Sequence, residues 1–207
     1  MKFVFFGDSN TWGYDAKNAS KQKKRFTQLL KDEFKNDEIV EEGLCGRTLC
    51  FDDPFDSDRN AYKQISMIMK THNPMDALFI ILGTNDAKRQ FSSNEITLEK
   101  GIRHLLYKAL EPEIYKDGIS IPKIIVVCPP KMNPEYVHNA RTVSNFGEMG
   151  YKILENSYAS LCNGCKDFDV EVIDTKVVAG QIDGIHMDEL AHQEMARALS
   201  EVIRRIK

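Results

Sequence analysis

Short apolar runs rich in β-branched and aromatic residues alternate along this chain with stretches whose apolar positions recur every three to four residues. Lys2 to Phe6 reads as a strand that stops at Gly7-Asp8-Ser9, and Gln22 to Phe34 places Phe26, Leu29, Leu30 and Phe34 at helical spacing. Glu38 to Glu42 is a weaker strand, followed by Gly43-Leu44-Cys45-Gly46 and an acidic, proline-containing loop from Asp52 to Asp58. A helix over Ala61 to Thr71 leads through Asn73-Pro74 into the strongest strand, Ala77 to Leu82, which ends at Gly83-Thr84-Asn85-Asp86. A further helix is expected over Asn94 to Leu110. Lys123 to Val127 is a fourth strand that Pro129-Pro130 must terminate. Gly147 to Leu161 reads as helix, Val170 to Ile173 as a fifth strand, and Asp188 to Ile206 as a closing helix.

Five strands separated by helices imply parallel pairing, because right-handed helical crossovers are the easy way to join parallel neighbours. The expected fold is a three-layer α/β/α sandwich. The near-continuous apolar run Phe79 to Leu82 suits a sheet covered on both faces, where alternation is lost. No linker, repeat or low-complexity segment divides the chain, so residues 1–207 are read as one domain. In such sheets ligand sites form beyond the carboxyl ends of the strands. That directs attention to Ser9, Gly46, Asn85, Pro129 and the turn from Asp183 to His186.

Composition narrows the partners. The 207 residues carry 28 Lys and Arg against 31 Asp and Glu, a formal charge of −3 with a pI near 6.0, which offers no general attraction to nucleic acid. No stretch approaches the roughly 18 to 20 continuous apolar residues of a membrane span, and the apolar N-terminal run is too short for a secretory signal. The expectation is a soluble, cytoplasmic protein without a membrane partner. The five scattered cysteines fit reduced thiols rather than a disulfide framework. The basic run Lys21 to Arg25 reads as a solvated helix start.

Ser9 follows a strand and precedes Thr11-Trp12-Gly13-Tyr14, so its hydroxyl can project at the sheet edge as a nucleophile, or serve as a helix N-cap. A serine nucleophile needs a base, and the base needs an orienting partner. Asp183-Gly184-Ile185-His186 supplies both at a spacing that can bring them together, although the same residues could form a plain surface turn ahead of a helix capped by Asp188. The other histidines compete weakly: His192 falls inside the final helix, His72 and His138 lie near loop prolines, and His104 has apolar neighbours. Acyl transfer also needs donors aimed at the developing oxyanion. The backbone N–H groups of Ser9 and Gly46 and the amide of Asn85 are candidates, while Gly46 could equally serve a positive-φ loop and Asn85 a turn.

Gly7-Asp8-Ser9, the Gly43/Gly46 loop, Gly83-Thr84-Asn85-Asp86 and Asp183-Gly184-Ile185-His186 resemble, in order, the four blocks of the SGNH (GDSL-type) hydrolases. Within that superfamily, Gly7 to Tyr14 and Glu41 to Thr48 are most similar to the bacterial arylesterase/acyltransferase branch, which includes acetyl esterases. The resemblance implies a flavodoxin-like fold, no cofactor, and a serine esterase acting on small acetyl or aryl esters through an acyl-enzyme. Ser9 would be the nucleophile, His186 the base and Asp183 its partner, with Ser9, Gly46 and Asn85 forming the oxyanion hole. Asp8, Trp12, Tyr14, Pro130 and Phe146 would touch the substrate, and the loop Asp52 to Asn60 and the segment Met132 to Phe146 would wall the pocket. Water or an alcohol would accept the acyl group. Relatives in this branch often form oligomers, so a homo-oligomer is a further expectation. Asn10 departs from the family name, which expects Leu there. The alternatives are a thioesterase or lipolytic enzyme, or a non-catalytic flavodoxin-like module binding a small ligand.

Other signals carry less. Cys162 and Cys165 have the spacing of half a zinc site, but no second pair completes it, so no metal is expected. Asp52, Asp53, Asp56 and Asp58 fail as a calcium loop, since Ala61 and Met67 stand where Gly and Glu are required. Gly43 to Gly46 resembles an RNA-backbone clamp without the rest of that module, and the chain has no nucleotide-type glycine loop.

Overall fold

The computed structural model describes residues 1–116 and 119–207. Strand β1 (Lys2–Gly7) enters a one-turn helix, α1 (Ser9–Trp12), then a short antiparallel hairpin, β2 (Tyr14–Asp15) and β3 (Ser20–Lys21). The chain continues through α2 (Phe26–Glu33), β4 (Glu38–Gly43), α3 (Ala61–His72), β5 (Ala77–Ile81), α4 (Thr97–Ala109) and β6 (Lys123–Val127). It closes with α5 (Ala140–Glu155), α6 (Ser157–Cys165), β7 (Glu171–Ile173) and α7 (Glu189–Ile206). The central sheet has the order β4-β1-β5-β6-β7, with every pair parallel. This is the expected three-layer α/β/α sandwich with its five-stranded parallel sheet.

The alternation of side chains along β1 separates two cores. Val4 and Phe6 face α3 to α6 through Ile65, Met69, Ile102 and Leu161, whereas Phe3 and Phe5 face α2 and α7 through Phe26, Leu30, Met195 and Leu199. Phe5 stacks on Phe79 with centroids 4.6 Å apart and meets Phe26 edge-on. Truncating such a fully buried ring costs about 3–5 kcal/mol, so both faces hold the strand ends in register. The chain leaves β1 toward β4 on one side and leaves the neighbouring β5 toward β6 on the other, so the connections diverge and open a crevice at the carboxyl ends of β1 and β5.

Two expectations need correction. The run Lys21 to Arg25 is not a helix start: Lys21 belongs to the hairpin, and both Lys21 and Arg25 pair with Glu41, at 2.5 and 2.6 Å, so α2 begins only at Phe26. The helix placed at Gly147 starts earlier, because the Asn139 side chain accepts the Thr142 N–H and caps α5. That cap makes the end of the Met132 to Phe146 segment helical. Gly147, at φ 59°, kinks α5, and the remainder of the predicted helix is the separate α6. The hairpin has no sequence signature strong enough to mark it, being two residues on each side.

Candidate active site

Asp8 caps α1 by accepting the Asn10 N–H at 2.9 Å, and this cap sets Ser9 at the first position of the turn, directly beyond β1. The 183–186 segment comes from the other end of the chain. Its Asp183 Oδ1 accepts the N–H groups of Ile185 and His186, both at 3.0 Å, which closes the turn around its own carboxylate. Gly184 sits at φ 73°, and a Cβ there would stand 2.8 Å from Tyr136 Cα, so the tight turn has no room for a side chain. Thr142 at the start of α5 donates its hydroxyl to the Asp183 carbonyl at 2.7 Å and pins the turn from outside.

The two ends meet in a continuous hydrogen-bonded chain. His186 Nε2 lies 2.9 Å from Ser9 Oγ, and His186 Nδ1 lies 2.6 Å from Asp183 Oδ2. Burial pushes the Asp183 carboxyl up, but the hydrogen bond and charge of His186 and two backbone N–H groups outweigh it and hold the group below its ordinary range. Asp183 is therefore ionised at neutral pH and accepts the Nδ1 proton, leaving Nε2 to face Ser9. The Tyr14 ring packs against the imidazole, with centroids 4.5 Å apart. Asn10 joins the halves directly: its Oδ1 accepts the Met187 N–H at 2.9 Å and its Nδ2 donates to the Ile185 carbonyl at 3.3 Å.

Donors surround the same point. Among the described residues, the N–H groups of Ser9 and Gly46 have no hydrogen-bond partner. Asn85 Nδ2 donates to the Arg47 carbonyl at 3.1 Å, and its second hydrogen has only a long 3.5 Å contact with Asp8. Gly46 adopts φ 86°, and an added Cβ would meet Arg59 Nε at 2.5 Å. The loop carrying Gly46 is anchored twice. The Arg47 guanidinium, packed over the Phe6 ring, donates to the carbonyls of Gly7 (2.7 Å) and Glu42 and to Gln64 Oε1 (2.8 Å). The buried Asp86 carboxyl accepts the Leu49 N–H at 2.9 Å, and burial pushes it up to about 7.

A cavity of about 460 Å³ opens over Ser9 and His186, and Tyr14, Gly46, Asn85 and Phe146 line it. The remaining expected contacts fall elsewhere. Asp8 lies sealed beneath the site, its carboxyl raised by burial. Trp12 and Pro130 do not line the cavity: Trp12 turns its ring to the Lys21 ammonium at 5.3 Å, and Pro130 is buried in the turn after β6. Sequence reasoning missed Asn10, Arg47, Asp86 and Thr142. The first three stand inside or beside the motif blocks, but only their contacts reveal what they hold.

Among the described residues, no three His, Cys, Asp or Glu side chains gather as a metal site, and no helix is long and apolar enough to cross a membrane. No curated protein matches the chain. The solved carbohydrate acetylesterase family member from Sinorhizobium meliloti is 27% identical, with a TM-score of 0.89, and the match covers 99% of this chain and 98% of that one. The M. smegmatis aryl esterase is likewise 27% identical, with a TM-score of 0.88 and coverage of 100% and 99%. A lipolytic G-D-S-L family protein from Veillonella parvula shares the fold at 17% identity and a TM-score of 0.66, covering 99% of both chains. The model of the GDSL-like lipase/acylhydrolase family matches residues 5–194, so this chain, an ester hydrolase with a small-molecule ester substrate, belongs to that family.

Proposed function

We propose that Ser9 attacks small carboxylic esters, with His186 as general base and Asp183 as its orienting carboxylate. The observation that carries this reading is the unbroken chain Ser9 Oγ, His186 Nε2, His186 Nδ1, Asp183 Oδ2 at the floor of the cavity. As the Ser9 Oγ–carbonyl bond forms, the hydroxyl proton passes to His186 Nε2, and the imidazolium is stabilised by the ionised Asp183. The carbonyl oxygen gains negative charge and is met by the Ser9 and Gly46 N–H groups and the Asn85 amide. Collapse breaks the carbonyl–alkoxy bond, and His186 returns the proton to the departing alcohol. Water, or an alcohol in acyl transfer, then repeats the sequence on the acyl-enzyme and releases Ser9.

The likeness to an acetylesterase and an aryl esterase supports acetyl or aryl esters as the substrate class. Tyr14 and Phe146 are assigned to substrate contact. The reading places the protein in the cytoplasm as one domain over residues 1–207, working without cofactor, and extends to a homo-oligomer. A serine-directed fluorophosphonate should label Ser9 alone, and an activated acetate ester should give a burst followed by slower turnover. Acyl esters of acetyl, butyryl and octanoyl length should be cleaved with falling kcat/KM; a rise toward octanoyl would favour the lipolytic alternative. A folded protein that neither labels nor turns over ester would instead be a binding module.

A further inference from the structure

The cavity differs in charge from the molecule around it. The whole chain carries a formal charge of −3, yet the cavity is lined by Arg59, Lys88 and Arg141 against one carboxylate, Asp183, which is committed to His186. Arg59 is compensated by Asp53 at 2.8 Å and Asp56 at 3.1 Å. Among the described residues, Lys88 and Arg141 make neither an ion pair nor a side-chain hydrogen bond. The acidic groups whose fields reach Lys88 offer little relief. Asp53 is spent on Arg59, while Asp8 and Asp86 are buried below the site and driven by burial toward their neutral forms. Burial, and then Arg59, pulls the Lys88 ammonium below its ordinary range.

A half-buried ammonium and an exposed, unpaired guanidinium lining one cavity are groups that a bound anion would bridge, and guanidinium offers a planar fork suited to carboxylate or phosphate. We propose that Lys88 and Arg141 form an anion-binding subsite, and that the substrate is an ester bearing a carboxylate or phosphate away from its scissile carbonyl. This rests on the esterase reading for the identity of the site, and it deepens that reading by specifying the substrate's charge. The anion would anchor the substrate at the rim while its ester carbonyl lies over Ser9, so that binding energy remote from the reacting atoms orients the acyl group.

The test compares 4-acetoxybenzoate with its neutral isostere 4-acetoxybenzamide, each kcat/KM being divided by the ester's rate of hydroxide hydrolysis. At low salt the carboxylate should be preferred about tenfold, the effect of one charge-assisted contact of about 1.4 kcal/mol. The preference should fall toward unity in Lys88→Gln with Arg141→Gln, in each single variant to a lesser degree, and in wild type at about 0.5 M salt. A larger preference for 4-acetoxyphenyl phosphate would identify phosphate as the anion; a larger one for the benzoate would identify carboxylate. A calorimetric arm on Ser9→Ala compares 4-hydroxybenzoate with 4-hydroxybenzamide and needs no turnover. Ester cleavage with no charge preference, together with equal binding of the two phenols, would overturn the subsite and leave the esterase reading standing. Tighter, Lys88-dependent binding of the benzoate in a protein that cleaves neither ester would leave the subsite and overturn the esterase.

Discussion

His186 and His192 stand six residues apart in chemically opposite settings. His186 lies in the turn before α7, with a carboxylate on one nitrogen and the Ser9 hydroxyl on the other. His192 lies in the first turns of α7, fully buried against Phe26; its Nδ1 accepts the Phe26 N–H at 3.2 Å, and its Nε2 has no partner among the described residues. Burial drives the His192 imidazole down to about 4, so it stays neutral at pH 7 and serves as packing. What separates the proposed base from a core ring is therefore a partner for the charged form. Asp183 can stabilise an imidazolium at 186, and among the described residues no carboxylate side chain pairs with 192.

The contrast can be broken most severely at the proposed nucleophile and the proposed base. Ser9→Ala and His186→Ala should each lower kcat/KM for an acetate ester by about 10⁵-fold or more, while His192→Leu keeps turnover near wild type; steady-state kinetics on folded protein would show it. Removing only the charge partner is the next step down. Asp183→Asn should slow turnover by about 10³- to 10⁴-fold, because the amide neither fixes the tautomer nor balances the imidazolium.

The core ring should show itself in stability rather than rate. In the unfolded chain His192 takes up a proton near pH 6.5, but in the folded protein only near 4, so the unfolded state binds more protons between those values. Its contribution is intact above pH 6.5 and is lost as pH falls, approaching about 3 kcal/mol below pH 4. Asp86 acts in the opposite direction. It holds its proton up to about 7 when folded against 3.8 unfolded, so its contribution is present at low pH and is lost as pH rises toward 7. The measurement that isolates His192 is thus the urea-unfolding difference between wild type and His192→Leu at several pH values. A pH-independent difference would contradict the buried neutral ring.

The smallest expected effect sharpens the comparison from the side of geometry. Asn10→Ala cuts both bonds that tie the Ser9 turn to Ile185 and Met187, and should cost about tenfold to a hundredfold in kcat with little change in KM. Asn10→Leu, which restores the residue of the family's name, should not rescue it, because an aliphatic side chain cannot hold both backbone groups.

Local pattern alone determined the order of the five sheet strands, since a run such as Ala77 to Ile81 needs no knowledge of its neighbours to prefer a doubly covered sheet. It also pointed to the strand ends that converge in the crevice, because Ser9, Asn85 and the Asp183 to His186 turn announce themselves by residue type beside apolar runs. Tertiary structure decided everything that depends on residues distant in sequence. Asn10 looked like a departure from a motif until it was found holding residues 175 and 177 positions away. Lys21 and Arg25 looked like a solvated run until both met Glu41. Trp12 and Pro130 stand just beyond strand ends yet miss the cavity, whereas Lys88 and Arg141 reach it from outside the motif blocks. The physical reason is that apolar periodicity is written in neighbouring residues, while the charge and lining of a crevice are sums over loops brought together only when the sheet closes.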